Sequence, residues 1–191
     1  MVESVKKVCY TFFRNFIGCV IMKSGFHLKN MVGIALLCVL MTMTAWLTVP
    51  APIPFTLQTL GLFLAVGLLG TQSGVLSVII YLILGVVGLP VFAAMKGGIG
   101  VLLGPTGGFL LGFLPASLIC GWLLKQSLHP VRMGFSFFVG LLVVYTVGIL
   151  WYWLLYASQG QGIWAIFSLC VFPFILPDLM KILLAVLLVK R

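Results

Sequence analysis

Six apolar stretches, at residues 31–49, 56–70, 74–90, 106–124, 133–156 and 164–189, contain only two charged side chains between them, Asp178 and Lys181. That feature decides the class of fold. A helix needs about 20 mostly apolar residues to cross a hydrocarbon layer, and within the layer the backbone must satisfy its own polar groups. Charged residues make up 7% of the chain, against about 25% in an ordinary soluble domain. With 191 residues, six spans and short connections leave no room for a soluble domain. The expectation is an all-α integral membrane protein of six transmembrane helices.

The second stretch is short. At about 1.5 Å rise per residue it covers roughly two thirds of a 30 Å core, so the neighbouring VPAPIP run at 49–54 is expected to bridge part of the path. Pro50, Pro52 and Pro54 cannot continue a helix. Non-helical backbone at that depth is tolerated only where protein or a cavity covers it.

The net charge is +9, from eleven Lys and Arg against Glu3 and Asp178. In a soluble chain this imbalance would point to nucleic acid. Here the bases sit at the ends of apolar runs, without interleaved aromatics, and nucleic acid is excluded as a partner. They report topology instead, because short cytoplasmic loops collect Lys and Arg. With the N-terminus in the cytoplasm that side receives nine bases, Lys6, Lys7, Arg14, Lys23, Lys29, Lys125, Arg132, Lys190 and Arg191, and the outer side only Lys96. Both termini are therefore expected on the cytoplasmic side of the cell membrane.

Near the start, Val5, Val8, Cys9, Phe12, Phe13, Phe16, Ile17, Val20 and Ile21 recur at spacings of three and four, with Lys6, Lys7, Arg14 and Lys23 opposite. This reads as an amphipathic helix in the membrane interface, not as a cleaved leader, since charges interrupt its apolar core. The chain thus divides into an interfacial segment, 1–29, and a membrane domain, 30–191.

The connection at 91–105, VFAAMKGGIGVLLGP, is too apolar and glycine-rich for a solvated loop. It is expected to fold over the external mouth as a lid. Behind it Gly104, Gly108, Gly112, Ala116 and Cys120 recur every four residues. Such a stripe lets helix backbones approach closely, and packing is its expected role.

Charges inside spans cost about 2.5 to 3.5 kcal/mol each on insertion scales and mark functional sites by default. Asp178 and Lys181 are three apart and share a helix face. The alternative, a pair that only ties helices together, is disfavoured because apolar partners would do this at lower cost. Pro177 either kinks the helix or opens a new one at its first position, which would put Asp178 in a first turn beside free backbone donors. At the other end, Lys96, Gly97 and Gly98 precede the GPTGG run that contains Thr106, Gly107 and Gly108. N–H groups at a helix start favour an anion, so this region suits a carboxylate. With Asp178 set against Lys181, and Lys96 against a ligand carboxylate, the occupied site would be neutral.

No GxxxxGK[ST] run is present, and GGIGVLLG follows a helix and loop, not the strand that a dinucleotide fingerprint needs. The five cysteines lack CxxC spacing, and His27 and His129 lack a metal partner. No acid–base pair for an enzyme emerges, and no cofactor or metal is expected.

Four motifs, PIPFTLQTL at 52–60, GLPVFA at 88–93, KGGIGVLLGPTGGFLLGF at 96–113 and PFILPDLMK at 173–181, together resemble the BioY family, the biotin-binding S components of energy-coupling-factor (ECF) transporters. The resemblance runs from about Gly33 to the end. It implies a six-helix fold with a vitamin pocket near the external face, covered by the loop between the third and fourth helices. It also implies a partner module of one membrane scaffold protein and two ATPase subunits. In the family the Asp and Lys of the last motif hold biotin, which corresponds to Asp178 and Lys181. The apolar part of biotin would then lie among Phe55, Tyr81 and Phe92, with Gln58 of the first motif nearby. Lys96, Gly97 and Gly98, or the turn at Thr106, Gly107 and Gly108, would take its carboxylate. This chain reads Leu176-Pro177-Asp178 where the family commonly reads Pro-Gly-Asp, and its first helix lacks the family's AxxxA docking pattern. The alternatives are an S component for another small vitamin, a stand-alone permease, or an intramembrane scaffold or enzyme using the Asp178–Lys181 pair.

Overall fold

A computed structural model describes residues 28–49, 55–125, 129–156 and 174–190. The expected interfacial helix, the proline run at 50–54 and the first part of the last apolar stretch lie outside the described residues. The chain divides after Gly33 into two units. In the first, the described residues 28–33 are helical; everything below concerns the second, Ile34–Arg191.

The described elements are helices apart from one pair of two-residue strands. They are α1 (Leu28–Trp46), β1 (Thr48–Val49), β2 (Phe55–Thr56), α2 (Gln58–Val86), a 3-10 turn (Ala93–Met95), α3 (Ile99–Leu103), α4 (Gly107–Leu124), α5 (Pro130–Tyr156) and α6 (Ile175–Lys190). Of these, α1, α2, α4 and α5 are long and apolar enough to cross a membrane. Large side chains are exposed along the helices, among them Leu36, Val39 and Met43 on α1 and Leu179, Leu183 and Leu187 on α6. A soluble monomer rarely shows apolar surface on this scale. Lipid tails accept it without penalty, because they are as apolar as leucine.

The expected helix of 31–49 stops at Trp46, because the chain then turns into an antiparallel pairing of Thr48 with Thr56 and Val49 with Phe55. The Leu57 amide donates to Thr44 O at 3.2 Å, tying the entry of α2 to the end of α1.

Within α2 the backbone leaves helical geometry at Gly70, where φ is 75°. Residues nine apart in a straight helix lie about 13.5 Å apart along the axis, yet a Cβ on Gly74 would come within 2.7 Å of both Ala65 O and Val66 Cα. The chain therefore doubles back at Gly70, a conformation that favours glycine. α2 consists of two antiparallel arms, 58–69 and 71–86, which correspond to the second and third apolar stretches. The first arm is buried on all sides from Leu60 to Gly67, as expected of a helix apolar all round. Its Phe63 stacks on Phe137 of α5 with centroids 4.9 Å apart.

The small-residue stripe packs α4 against α5. A Cβ on Gly112 would lie 3.2 Å from Val144 Cα, and one on Gly108 would collide with Trp151. Further along, the Ser136 hydroxyl donates to Cys120 O at 3.0 Å, and the Cys120 thiol donates to Ser136 O at 3.2 Å.

Residues 91–106 are folded. The Phe92 amide donates to Lys96 O at 3.0 Å, and the Gly98 amide donates to Gly85 O at 2.7 Å, fastening the loop to the end of α2. Two indole N–H groups hold it at either end: Trp46 donates to Pro90 O at 2.8 Å, and Trp151 to Gly104 O at 3.1 Å.

α6 begins at Ile175, so Pro177 lies in its first turn, two residues past the first position. Asp178 falls in that turn as expected. Its amide is not a free donor, however, because it already donates to Phe174 O at 2.9 Å.

Candidate functional site

Asp178 and Lys181 are each 4% exposed. One turn apart on α6, they meet with Lys181 Nζ 2.5 Å from Asp178 Oδ1. A buried ion pair repays its desolvation only when further hydrogen bonds satisfy the remaining lone pairs and protons, and three other elements supply them here. Tyr145 of α5 donates its hydroxyl to Asp178 Oδ2. Thr59 of α2 donates to Asp178 Oδ1 at 3.5 Å, and Lys181 Nζ donates to the Thr56 carbonyl of β2 at 2.6 Å. Bonds to ionised groups are roughly twice as strong as neutral ones, so this junction draws α6, α5 and the start of α2 together.

Thr56 extends the network. Its hydroxyl donates to Gln58 Oε1 at 3.1 Å, the Gln58 amide donates to the Tyr81 hydroxyl, and Tyr81 donates to Val91 O at 2.9 Å. The Tyr81 ring meets Phe92 edge to face, with centroids 5.6 Å apart at 76°. Phe92 in turn lies over Gly85, where any Cβ would clash with its Cζ. A continuous path thus runs from Tyr145 through Asp178, Lys181, Thr56, Gln58 and Tyr81 to the loop residue Phe92. No buried side-chain N or O among the described residues lacks a partner.

Of the residues singled out in the sequence, Asp178, Lys181, Gln58, Tyr81 and Phe92 come together in this network. Phe55 pairs with Val49 in the strand, and its side chain lies outside the described residues. Lys96 is exposed, bridged through its backbone to Phe92. Three of the glycines are tightly packed: a Cβ on Gly97 would strike Leu89 O, one on Gly107 would strike Leu102 O, and one on Gly108 would strike Trp151. Gly98 has φ 98°, and its amide is already used by Gly85 O. Thr106 precedes α4 without a side-chain cap. Three partners of the ion pair, Thr56, Thr59 and Tyr145, were not singled out in the sequence. The signal for Tyr145 was present: a phenol in the middle of a span has no water to bond and must find an acceptor in the protein, and Asp178 is the single acid in any span.

Among the described residues no three His, Cys, Asp or Glu side chains group to hold a metal. The chemistry on offer is recognition, by a carboxylate, an ammonium, hydroxyls and an amide set beside aromatic rings.

A bundle of long apolar helices that exposes its leucines and, among the described residues, buries a bonded ion pair is a multi-pass membrane protein with an intramembrane polar site. The chain belongs to the BioY family, whose family model matches residues 21–191. It is 40% identical over 164 residues to the probable biotin transporter BioY of Pyrococcus horikoshii, covering 85% of this chain and 95% of that one. It is 34% identical over 165 residues to the biotin transporter BioY of Thermotoga maritima, covering 86% and 95%. Its fold is similar to the crystal structure of the S-component for biotin from an ECF-type ABC transporter, with a TM-score of 0.77, 28% identity, and coverage of 85% of this chain and 89% of that one. These relatives are transporters by name, and the chain is a membrane transporter component of the cell membrane, not an enzyme.

Proposed function

We propose that this chain is the substrate-capture subunit of an ECF-type importer, binding biotin and delivering it across the cell membrane when coupled to an ATPase module. The observation that carries this reading is the buried Asp178–Lys181 pair, placed at the head of a polar path that ends on the loop. Asp178 accepts at the ureido N–H edge and Lys181 donates to the ureido oxygen. The apolar ring and chain lie against Phe55, Tyr81 and Phe92, beside Gln58. Lys96 with Gly97 and Gly98, or the turn at Thr106, Gly107 and Gly108, takes the carboxylate. Since the Gly98 amide is occupied, the Lys96 ammonium is the stronger candidate of these groups.

The two arms of α2, with α1, α4, α5 and α6, make up six spans, and residues 91–106 form the lid. Both termini are cytoplasmic. A reporter fused after Arg191 is expected to be cytoplasmic, and a label on Ser158→Cys is expected to react from outside intact cells. The nine-to-one distribution of loop bases supports this orientation; protection of the label from an external reagent would reverse the topology.

Energised transport requires other chains, because the sequence holds no nucleotide-binding run. These are a membrane scaffold subunit and two ATPase subunits. The purified protein in liposomes is expected to bind biotin without ATP-dependent uptake, and the reconstituted module is expected to restore uptake. ATP-driven accumulation by the pure chain would overturn the reading.

A further inference from the structure

The Asp178 carboxylate is held at both oxygens by side chains from three helices. Lys181 of α6 and Thr59 of α2 donate to Oδ1, and Tyr145 of α5 donates to Oδ2. An ionised carboxylate offers about four acceptor positions. Two are taken at Oδ1 and one at Oδ2, so one remains, on Oδ2. The torsion that turns a carboxylate is broad and weakly restrained by itself, and the two Oδ1 bonds alone act as a pivot. The Tyr145 hydroxyl stops rotation about that pivot. Tyr145 is itself buried, and a ring on a packed helix has little freedom to follow a moving partner.

We infer that Tyr145 is a positioning residue that fixes the plane of the Asp178 carboxylate, so that Oδ2 accepts one ligand N–H from one direction. This rests on the biotin reading and deepens it. A ureido group carries two N–H donors that differ chiefly in which side of the ring they occupy. With a single acceptor position left, Asp178 takes one of them and leaves the other to different partners. Without the Tyr145 hydroxyl, Oδ2 has two open positions and the carboxylate can turn, so either N–H is accepted.

The test uses the full-length protein in detergent and three probes: biotin and its two mono-N-methyl ureido isomers. Titration of the parent is expected to separate the isomers by about tenfold or more, the worth of one charge-assisted hydrogen bond. In Tyr145→Phe, biotin binding is expected to weaken and the ratio between the isomers to collapse to within about twofold, as one anchored acceptor is lost. If Tyr145 served only to pack α5 against α6, the variant would weaken all three ligands equally and keep the parent ratio, which overturns the assignment. Should the variant fail to fold, the parent alone decides, since equal affinity for the two isomers contradicts a single oriented acceptor. A parent that binds neither biotin nor the isomers overturns the biotin reading itself, an outcome distinct from normal biotin binding with no discrimination.

Discussion

Asp178→Asn is expected to weaken biotin binding at least tenfold, or about 1.4 kcal/mol. The carboxylate receives Lys181, Thr59 and Tyr145, and an ionised acceptor makes bonds roughly twice as strong as a neutral one. Asparagine also replaces one oxygen by a donor, which opposes the Lys181 ammonium where it takes the Oδ1 place, and leaves Lys181 buried without its counter-charge. Breaking one partner of a buried pair costs about 3 to 5 kcal/mol, so part of the damage is expected as lost stability. The double change Asp178→Asn with Lys181→Met separates the two effects. It removes both charges and is expected to recover the thermal midpoint in detergent but not biotin affinity. A double variant that is well folded and binds like the parent would make the pair structural.

Gly85→Ala is the second large effect. Phe92 is fully buried and lies so close over Gly85 that the first carbon of any side chain would clash with the tip of its ring. The ring must leave, and with it go the edge-to-face contact to Tyr81 and the seating of the loop that Gly98 fastens to Gly85 O. Overpacking of this kind costs about 1 to 3 kcal/mol, here drawn from the loop and the biotin site more than from the helices. Biotin affinity is expected to fall by at least about fivefold, with helical content unchanged by circular dichroism. Gly100→Ala, where a Cβ meets nothing within 4 Å, is the matching control and should bind as the parent does. Equal effects of the two substitutions would contradict the proposed seat for Phe92.

The apolar runs and the three-residue spacing of Asp178 and Lys181 were legible because both are local: a span is a matter of composition, and a shared helix face a matter of period. The stripe from Gly108 to Cys120 was legible for the same reason and packs α4 on α5 as expected. The sharp reversal at Gly70 was less so. Two separate spans could be read, but not that a single positive-φ glycine would join them without a loop. The early end of α1 depends on Thr48 and Val49 pairing with residues beyond the prolines, which no helical pattern within 31–49 records. Tyr145 announces its need for an acceptor from within a span, but Thr59 reaches Asp178 across 119 residues of sequence, a contact that follows from packing alone. The glycines at 97, 98, 107 and 108 mark an illegible distinction of another kind. The same residues serve an anion or a close backbone crossing, and the sequence does not record that the Gly98 amide is already bonded to Gly85 O.

Isothermal titration of the detergent-purified chain with biotin, riboflavin and thiamin tests the central claim most directly. The buried Asp178–Lys181 pair, linked through Thr56 and Gln58 to Tyr81 and Phe92, predicts tight, one-to-one binding of biotin without turnover, and no heat from the other two vitamins. Binding of riboflavin or thiamin with indifference to biotin would contradict it.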